Sequence, residues 1–204
     1  MTALPDFKLE THFSRWEFKA KHHLTASDAE SMSLRELLAM ATPEERDDFE
    51  GMWLGYTETW GSPVLREEIA TTFAKLSPAE VLCFAGASEG IYAANSVILD
   101  KDSHAIAITP NYQSHETLPA SIGTVTGIPL DPNDRWSLDI DRLAAAIRPN
   151  TRLVTINFPH NPTGAVLPDD RFEALIALCR KHGIYILSDE IFRGLGPKGA
   201  RYLP

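Results

Sequence analysis

From residue 81 onward, short apolar runs alternate with helix-like segments, and this alternation is what most limits the fold. The runs are rich in Val, Ile and Leu and cover residues 81–85, 104–109, 124–130, 153–157 and 184–188. Between them lie segments of amphipathic spacing, near residues 89–99, 115–122, 139–147 and 169–181. Strands of almost continuous apolar residues separated by helices are what a parallel sheet covered on both faces requires. We therefore expect an α/β protein with a mainly parallel sheet flanked by helices.

The first 60 residues differ from the rest, being rich in charged and aromatic side chains. Helical spacing predicts helices over 13–24 and 34–40. Ser33 and Glu36 stand three residues apart, the spacing of a capping box. We expect a helical N-terminal segment over residues 1–60.

An amphipathic helix is predicted over residues 62–76, just before the first apolar run. Pro63 suits its first turn, where a missing N–H costs no hydrogen bond. The α/β domain is therefore expected to cover residues 61–204.

Composition narrows the possible partners. The chain has 19 Lys and Arg against 28 Asp and Glu, a formal charge of -9, and 44% hydrophobic residues. This is ordinary for a globular protein, and without a basic cluster it argues against nucleic-acid binding. No stretch approaches the roughly 18 apolar residues of a membrane span, and the N-terminus has no signal-peptide core. We expect a cytoplasmic protein without a membrane partner.

Two cysteines, Cys83 and Cys179, lie in apolar runs far apart in the sequence. Their spacing fits neither a metal site nor a disulfide framework, so we expect two reduced, buried thiols and no metal.

Polar residues follow the apolar runs, where the loops of a parallel sheet collect ligands. A small-residue turn at 86–90 opens a helix and suits an anion, although it has neither Walker nor dinucleotide spacing. Tyr112 follows the second run, and the loop 157–164 is rich in Pro, Asn and Gly. Asp189 and Glu190 follow the last run, where a buried carboxylate is costly unless a cation or hydrogen-bond donors meet it. One of the two therefore needs a partner, and a metal ion or an arginine is the simplest interpretation.

Several of these motifs, in this order, resemble the class I/II aminotransferases, which are fold type I pyridoxal 5′-phosphate (PLP) enzymes. The motifs that support this resemblance are Asn-x-Pro-His-Asn-Pro-Thr-Gly at 157–164, Ser-Asp-Glu at 188–190 and Tyr-x4-Gly-x3-Leu-Arg at 56–66. The resemblance covers about residues 50–195 well and the N-terminal part loosely.

The resemblance implies a role for each matching residue. The amides of Ala87 and Ser88 would bind the PLP phosphate, with the Ser88 hydroxyl assisting. Tyr112 would stack on the pyridine ring, and Asn161 would donate to its phenolic oxygen. Asp189 would pair with the ring nitrogen and keep it protonated, which makes the ring a stronger electron sink.

The resemblance also implies a homodimer, because Tyr56 would reach the phosphate bound by the neighbouring subunit. The sequence departs from the family pattern at two positions. Phe192 occupies the position of a tyrosine, and the Schiff-base lysine expected roughly thirty residues beyond Asp189 is absent. Lys198 comes too early to replace it, so no catalytic residue is named. Arg193 is interpreted as a salt-bridge partner rather than a substrate clamp.

We therefore expect a PLP-dependent aminotransferase, which exchanges an amino group between an amino acid and a 2-oxo acid. The chain would be its truncated N-terminal half, inactive and marginally folded alone, because missing strands would leave apolar sheet edges unpaired. A non-catalytic remnant or PLP-binding subunit, and a PLP-dependent lyase or cyclase of the same fold, remain alternatives. A third hypothesis is an unrelated α/β nucleotide binder in which the turn at 86–90 holds a phosphate. The sequence has no lysine-bearing phosphate loop and no magnesium-binding motif to support it.

Overall fold

The computed structural model describes residues 4–195, and Lys198 lies outside them. Within that range the chain forms helices and four strands in the alternating order expected from residue 87 onward. Two short 3₁₀ helices, at Pro78–Glu80 and Pro132–Asp134, lie between these elements. The elements are α1 Lys8–Trp16, α2 Leu34–Ala39, α3 Pro43–Glu50, α4 Pro63–Thr71, α5 Ala87–Ile98, β1 His104–Thr109, α6 Ser114–Ile122, β2 Thr124–Pro129, α7 Ile140–Ala146, β3 Thr151–Asn157, α8 Asp169–His182 and β4 Tyr185–Asp189.

The four strands form one parallel sheet in the order β2-β1-β3-β4. The two central strands are the most deeply buried, as near-continuous apolar sequences require. Ile106 of β1 and Val154 of β3 are inaccessible to solvent and belong to one apolar core that includes Phe172 of α8. The predicted fold, a parallel sheet flanked by helices, is confirmed.

Helix α8 illustrates how the sequence places a helix on this sheet. Phe172, Leu175 and Cys179 recur at intervals of three and four residues and are the buried residues of the helix. Acidic residues occupy its first turn and basic residues its last, in accord with the helix dipole. Gly183 ends the helix with φ 64°, a left-handed conformation that glycine adopts without strain.

The predicted strand at residues 81–85 is wrong, because no strand pairs with this segment among the described residues. Val81 has extended backbone angles (φ -97°, ψ 129°), so the local preference is present. The Cys83 N–H instead donates to the Trp60 carbonyl at 2.9 Å, and Leu82 and Phe84 remain exposed. A strand needs a neighbouring strand to accept its hydrogen bonds, and an apolar run alone cannot supply one.

The predicted helix at residues 13–24 is also wrong in its position, since α1 begins at Lys8 and ends at Trp16. A turn over residues 17–19 follows it. Phe18 and Leu24, whose spacing favoured a longer helix, are 92% and 91% exposed. Apolar residues that face solvent give no packing energy to extend a helix.

Capping boxes mark the start of helices α2 and α3 in the N-terminal segment. Helix α2 agrees with its predicted position, and Ser33 and Glu36 form both bonds of the capping box. Helix α3 was not predicted, although Thr42 and Glu45 form the same motif before it. Helices α1, α2 and α3 contain no buried residue. Helix α4 has Pro63 in its first turn, as expected, but ends at Thr71.

Both cysteines are free thiols, as expected. Cys179 is buried, and burial raises the pKa of its thiol to about 11. The prediction that Cys83 is buried is wrong, because this side chain is only half-buried beside the unpaired 81–85 segment. In residues 4–195, every helix is too short or too polar to cross a lipid bilayer.

Candidate functional site

One cavity of about 470 Å³ opens at the carboxyl ends of β3 and β4 and the first turn of α5. Five of the six predicted cofactor-binding residues line it, although they come from four separate parts of the chain. The lining residues are Ser27, Asp28, Ala29, Gly86, Ala87, Ser88, Ile91, Tyr112, Asn157, Asn161, Asp189, Ile191, Phe192 and Leu195.

The first turn of α5 forms one wall of the cavity. Ala87 and Ser88 are its first two residues, so their N–H groups have no acceptor within the helix. The Glu89 carboxylate turns back and accepts from the Ala85 N–H at 2.7 Å, outside the helix. The helix dipole adds partial positive charge here, which suits a bound anion.

Asp189 lies at the end of β4 and is held by two donors. Its Oδ2 accepts from His115 Nε2, and its Oδ1 accepts from the Ile191 N–H, both at 2.9 Å. Burial disfavours the charged form, but these hydrogen bonds outweigh it and hold the pKa of Asp189 below its ordinary value. Hydrogen-bond donors therefore meet this carboxylate, as the sequence required, and among the described residues the side chain that does so is His115.

His115 is a residue of the site that the sequence analysis missed. It lies in the first turn of α6, is buried, and receives a hydrogen bond on its carbonyl from Thr155 Oγ1 at 3.2 Å. Its Nδ1 is buried without a hydrogen-bond partner among the described residues. The available signal was the carboxylate at the strand end, because a buried carboxylate requires a donor.

Asn157, the last residue of β3, connects the loops after β3 and β4 through its side chain. Asn157 accepts from the Asn161 N–H at 2.9 Å through Oδ1, and its Nδ2 donates to the Asp189 carbonyl at 2.8 Å. One buried amide therefore holds Asn161 and Asp189 on the same side of the cavity. Asn157 was part of the predicted loop but had no assigned role.

Tyr112 contributes to the cavity from the loop after β1. Its hydroxyl donates to Glu10 Oε1 at 2.8 Å, and its ring lies 4.8 Å from that of Phe7, centroid to centroid. Burial, together with the bond to Glu10, raises the pKa of Tyr112 to about 12. The N-terminal segment therefore packs directly on a predicted site residue, which the sequence did not indicate.

The remaining residues named from the sequence lie partly inside and partly outside the cavity. Tyr56 is fully exposed and does not line the cavity. Phe192 does line it. Arg193 forms an ion pair with Glu190, as interpreted, and its guanidinium lies 4.1 Å from the centre of the Phe73 ring.

Comparison with known proteins shows which family this chain belongs to. The family model described as aminotransferase class I and II matches residues 23–203. The chain belongs to this aminotransferase family. An aspartate aminotransferase of Geobacillus stearothermophilus is 35% identical over 158 residues, which are 72% of this chain and 39% of that protein. A probable N-succinyldiaminopimelate aminotransferase of Mycobacterium tuberculosis is 38% identical over 128 residues, covering 61% and 32%.

Solved aminotransferases share the fold. A PLP-dependent aminotransferase from Streptococcus suis superposes with a TM-score of 0.86 at 28% identity, covering 94% of this chain and 52% of that one. An aspartate aminotransferase from Thermus thermophilus with maleate gives 0.83 at 26% identity, covering 98% and 54%. The chain thus spans between about one third and two fifths of these curated relatives and about half of these structures.

Proposed function

We propose that this member of the aminotransferase family binds PLP in the 470 Å³ cavity. The chain would supply the cofactor-binding wall of an enzyme that moves an amino group between an amino acid and a 2-oxo acid. The observation that carries the proposal is the meeting of Ala87, Ser88, Tyr112, Asn161 and Asp189 in one cavity. These residues are far apart in the sequence, so only the tertiary structure can bring them into one cavity.

The wall formed by α5 fits the phosphate of the cofactor. Two helical N–H groups without intrahelical acceptors and the Ser88 hydroxyl can donate to a dianion, and the helix dipole favours its charge. Tyr112 offers an aromatic face beside this turn, with its hydroxyl already engaged by Glu10. The phenol is therefore positioned by the protein before a ligand enters.

Asp189 fits the ring nitrogen. Each of its oxygens accepts one hydrogen bond, and a carboxylate has about four acceptor sites, so it retains capacity for an N–H of the ring. Because its pKa is lowered, the carboxylate is ionised at neutral pH and favours a protonated ring nitrogen. When bound, PLP supplies an electron sink for a substrate carbanion. The Asn161 amide would orient the ring by donating to its phenolic oxygen.

A homodimer belongs to the same proposal. Met52, Trp53 and Leu54 precede Tyr56 and are all strongly exposed, and clustered apolar exposure of this kind marks protein interfaces. Tyr56 would reach the cavity of the partner subunit. The lysine of the family would come from outside the described residues, since none of the residues that line the cavity in this structure is a lysine.

Titration of the full chain with pyridoxamine 5′-phosphate tests the proposal, because this ligand cannot form Schiff bases with surface lysines. Asp189→Asn should weaken binding at least about tenfold, the equivalent of one charge-assisted hydrogen bond. Asp170→Asn, at an exposed position of α8, is the matched control and should bind like the wild type. No saturable binding, or equal affinity of both variants, would contradict the proposal.

A further inference from the structure

The loop that carries Tyr112 and the loop that carries Asn161 are joined by the side chain of His160. His160 Nε2 lies 2.8 Å from the Pro110 carbonyl oxygen, and Nδ1 lies 2.7 Å from Thr163 Oγ1. A carbonyl oxygen can only accept, so Nε2 carries a proton. Burial lowers the pKa of His160, which keeps the ring neutral and makes Nδ1 the acceptor of the Thr163 hydroxyl.

The backbone around His160 holds this ring in place. The His160 N–H donates to the Ala165 carbonyl at 2.8 Å, and the Gly164 N–H donates to the His160 carbonyl at 2.7 Å. His160 as a whole residue is 3% exposed. The imidazole therefore spans two loops from a fixed turn, and it has little freedom to choose other partners.

The two ends of this bridge lie next to residues of the cavity. Pro110 is two residues before Tyr112, and His160 directly precedes Asn161. His160 does not itself line the 470 Å³ cavity. Any influence it has on a ligand there must pass through its neighbours.

We propose that His160 is a positioning residue that sets the separation between Tyr112 and Asn161. In the PLP site proposed above, on which this inference rests, these residues contact the face and the edge of the ring. Loss of the bridge would let the two loops move apart while leaving every ligand-contacting side chain present.

Two substitutions of His160 distinguish the role of its Nε2 atom from that of its Nδ1 atom. Gln places an N–H₂ donor where His160 Nε2 stands, and Asn places one where Nδ1 stands. His160→Asn should weaken pyridoxamine 5′-phosphate binding about tenfold, whereas His160→Gln should stay within about threefold of the wild type. His182→Asn, at the exposed end of α8, is the control for replacing a histidine.

Hydrogen exchange gives a readout that needs no ligand. His160→Asn should speed exchange of amides 111–116 at least about tenfold without changing those of β3, and His160→Gln should not. Equal effects of the two variants on both affinity and exchange, or no effect of either, would overturn the proposal. If the wild type binds no ligand, the proposed function fails and the exchange comparison alone decides the role of His160.

The wild-type chain also tests the bridge without any substitution. Nitrogen NMR of ¹⁵N-histidine-labelled protein should find His160 protonated at Nε2 and unprotonated at Nδ1. A ring protonated at Nδ1 alone could not donate to Pro110 and would overturn the proposal, even if both variants failed to fold.

Discussion

At the scale of single residues, three buried polar side chains hold the site together. His115 bonds to Asp189, Asn157 bonds to Asn161 and Asp189, and His160 bonds to Pro110. Each joins segments that are adjacent only in the folded chain. The resemblance to the family indicated five of the residues that line the cavity, because their motif spacing is visible in the sequence. It could not indicate these partners, which depend on tertiary contacts.

Replacing His115 tests the support of Asp189. His115→Phe removes the Nε2 donor, so the pKa of Asp189 should rise toward its ordinary value and the free energy of unfolding should fall by about 1–3 kcal/mol. Carbon NMR titration of the Asp189 carboxyl group and urea unfolding measure the two effects. His115→Gln keeps a donor at the same position and should reproduce most of the wild-type behaviour. An unchanged pKa in His115→Phe would refute this account of Asp189.

At the scale of elements, what the sequence predicts depends on where an element finds its partners. Strands β1 and β3 were predictable because both of their neighbours lie within residues 104–189. The run 81–85 has the same apolar character but no such neighbour, so its pattern was misleading. The docking of the N-terminal segment on the cavity was unpredictable, since it depends on side chains more than a hundred residues apart.

The side chain of Gln113 holds that N-terminal segment with two bonds. Its Oε1 accepts from the Lys8 N–H at 3.0 Å, and its Nε2 donates to the Asp6 carbonyl at 2.9 Å. Gln113→Leu removes both bonds, so limited proteolysis should cut the first ten residues faster than in the wild type.

Gln113→Glu is the matched comparison, because it keeps the acceptor for Lys8 and loses the donor to Asp6. Its cleavage rate should fall between those of the wild type and Gln113→Leu. Identical rates for all three proteins would mean that Gln113 does not anchor the segment.

At the scale of the whole molecule, stability should depend on buried neutral histidines. Burial, assisted by Arg148, lowers the pKa of His104, and burial also lowers that of His160. In the unfolded chain a histidine has a pKa of about 6.5. Below that pH the unfolded state binds more protons than the native state, so the free energy of unfolding falls until the folded pKa values are passed.

Denaturant unfolding between about pH 7.5 and about pH 5 measures this dependence. The wild type should lose stability as the pH falls, and His104→Gln should lose less, because its side chain does not titrate. His182→Gln, at an exposed position, should keep the wild-type slope. A His104→Gln slope equal to that of the wild type would contradict the assignment.

The central claim is that Asp189 and Asn161 hold a PLP ring between them, and the ring nitrogen reports on this directly. PLP labelled with ¹⁵N in the ring, bound to the full chain at neutral pH, should give the chemical shift of a protonated pyridinium. The same ligand with Asp189→Asn should give the shift of an unprotonated nitrogen. An unprotonated nitrogen in the wild type, or the same shift with both proteins, would contradict the claim.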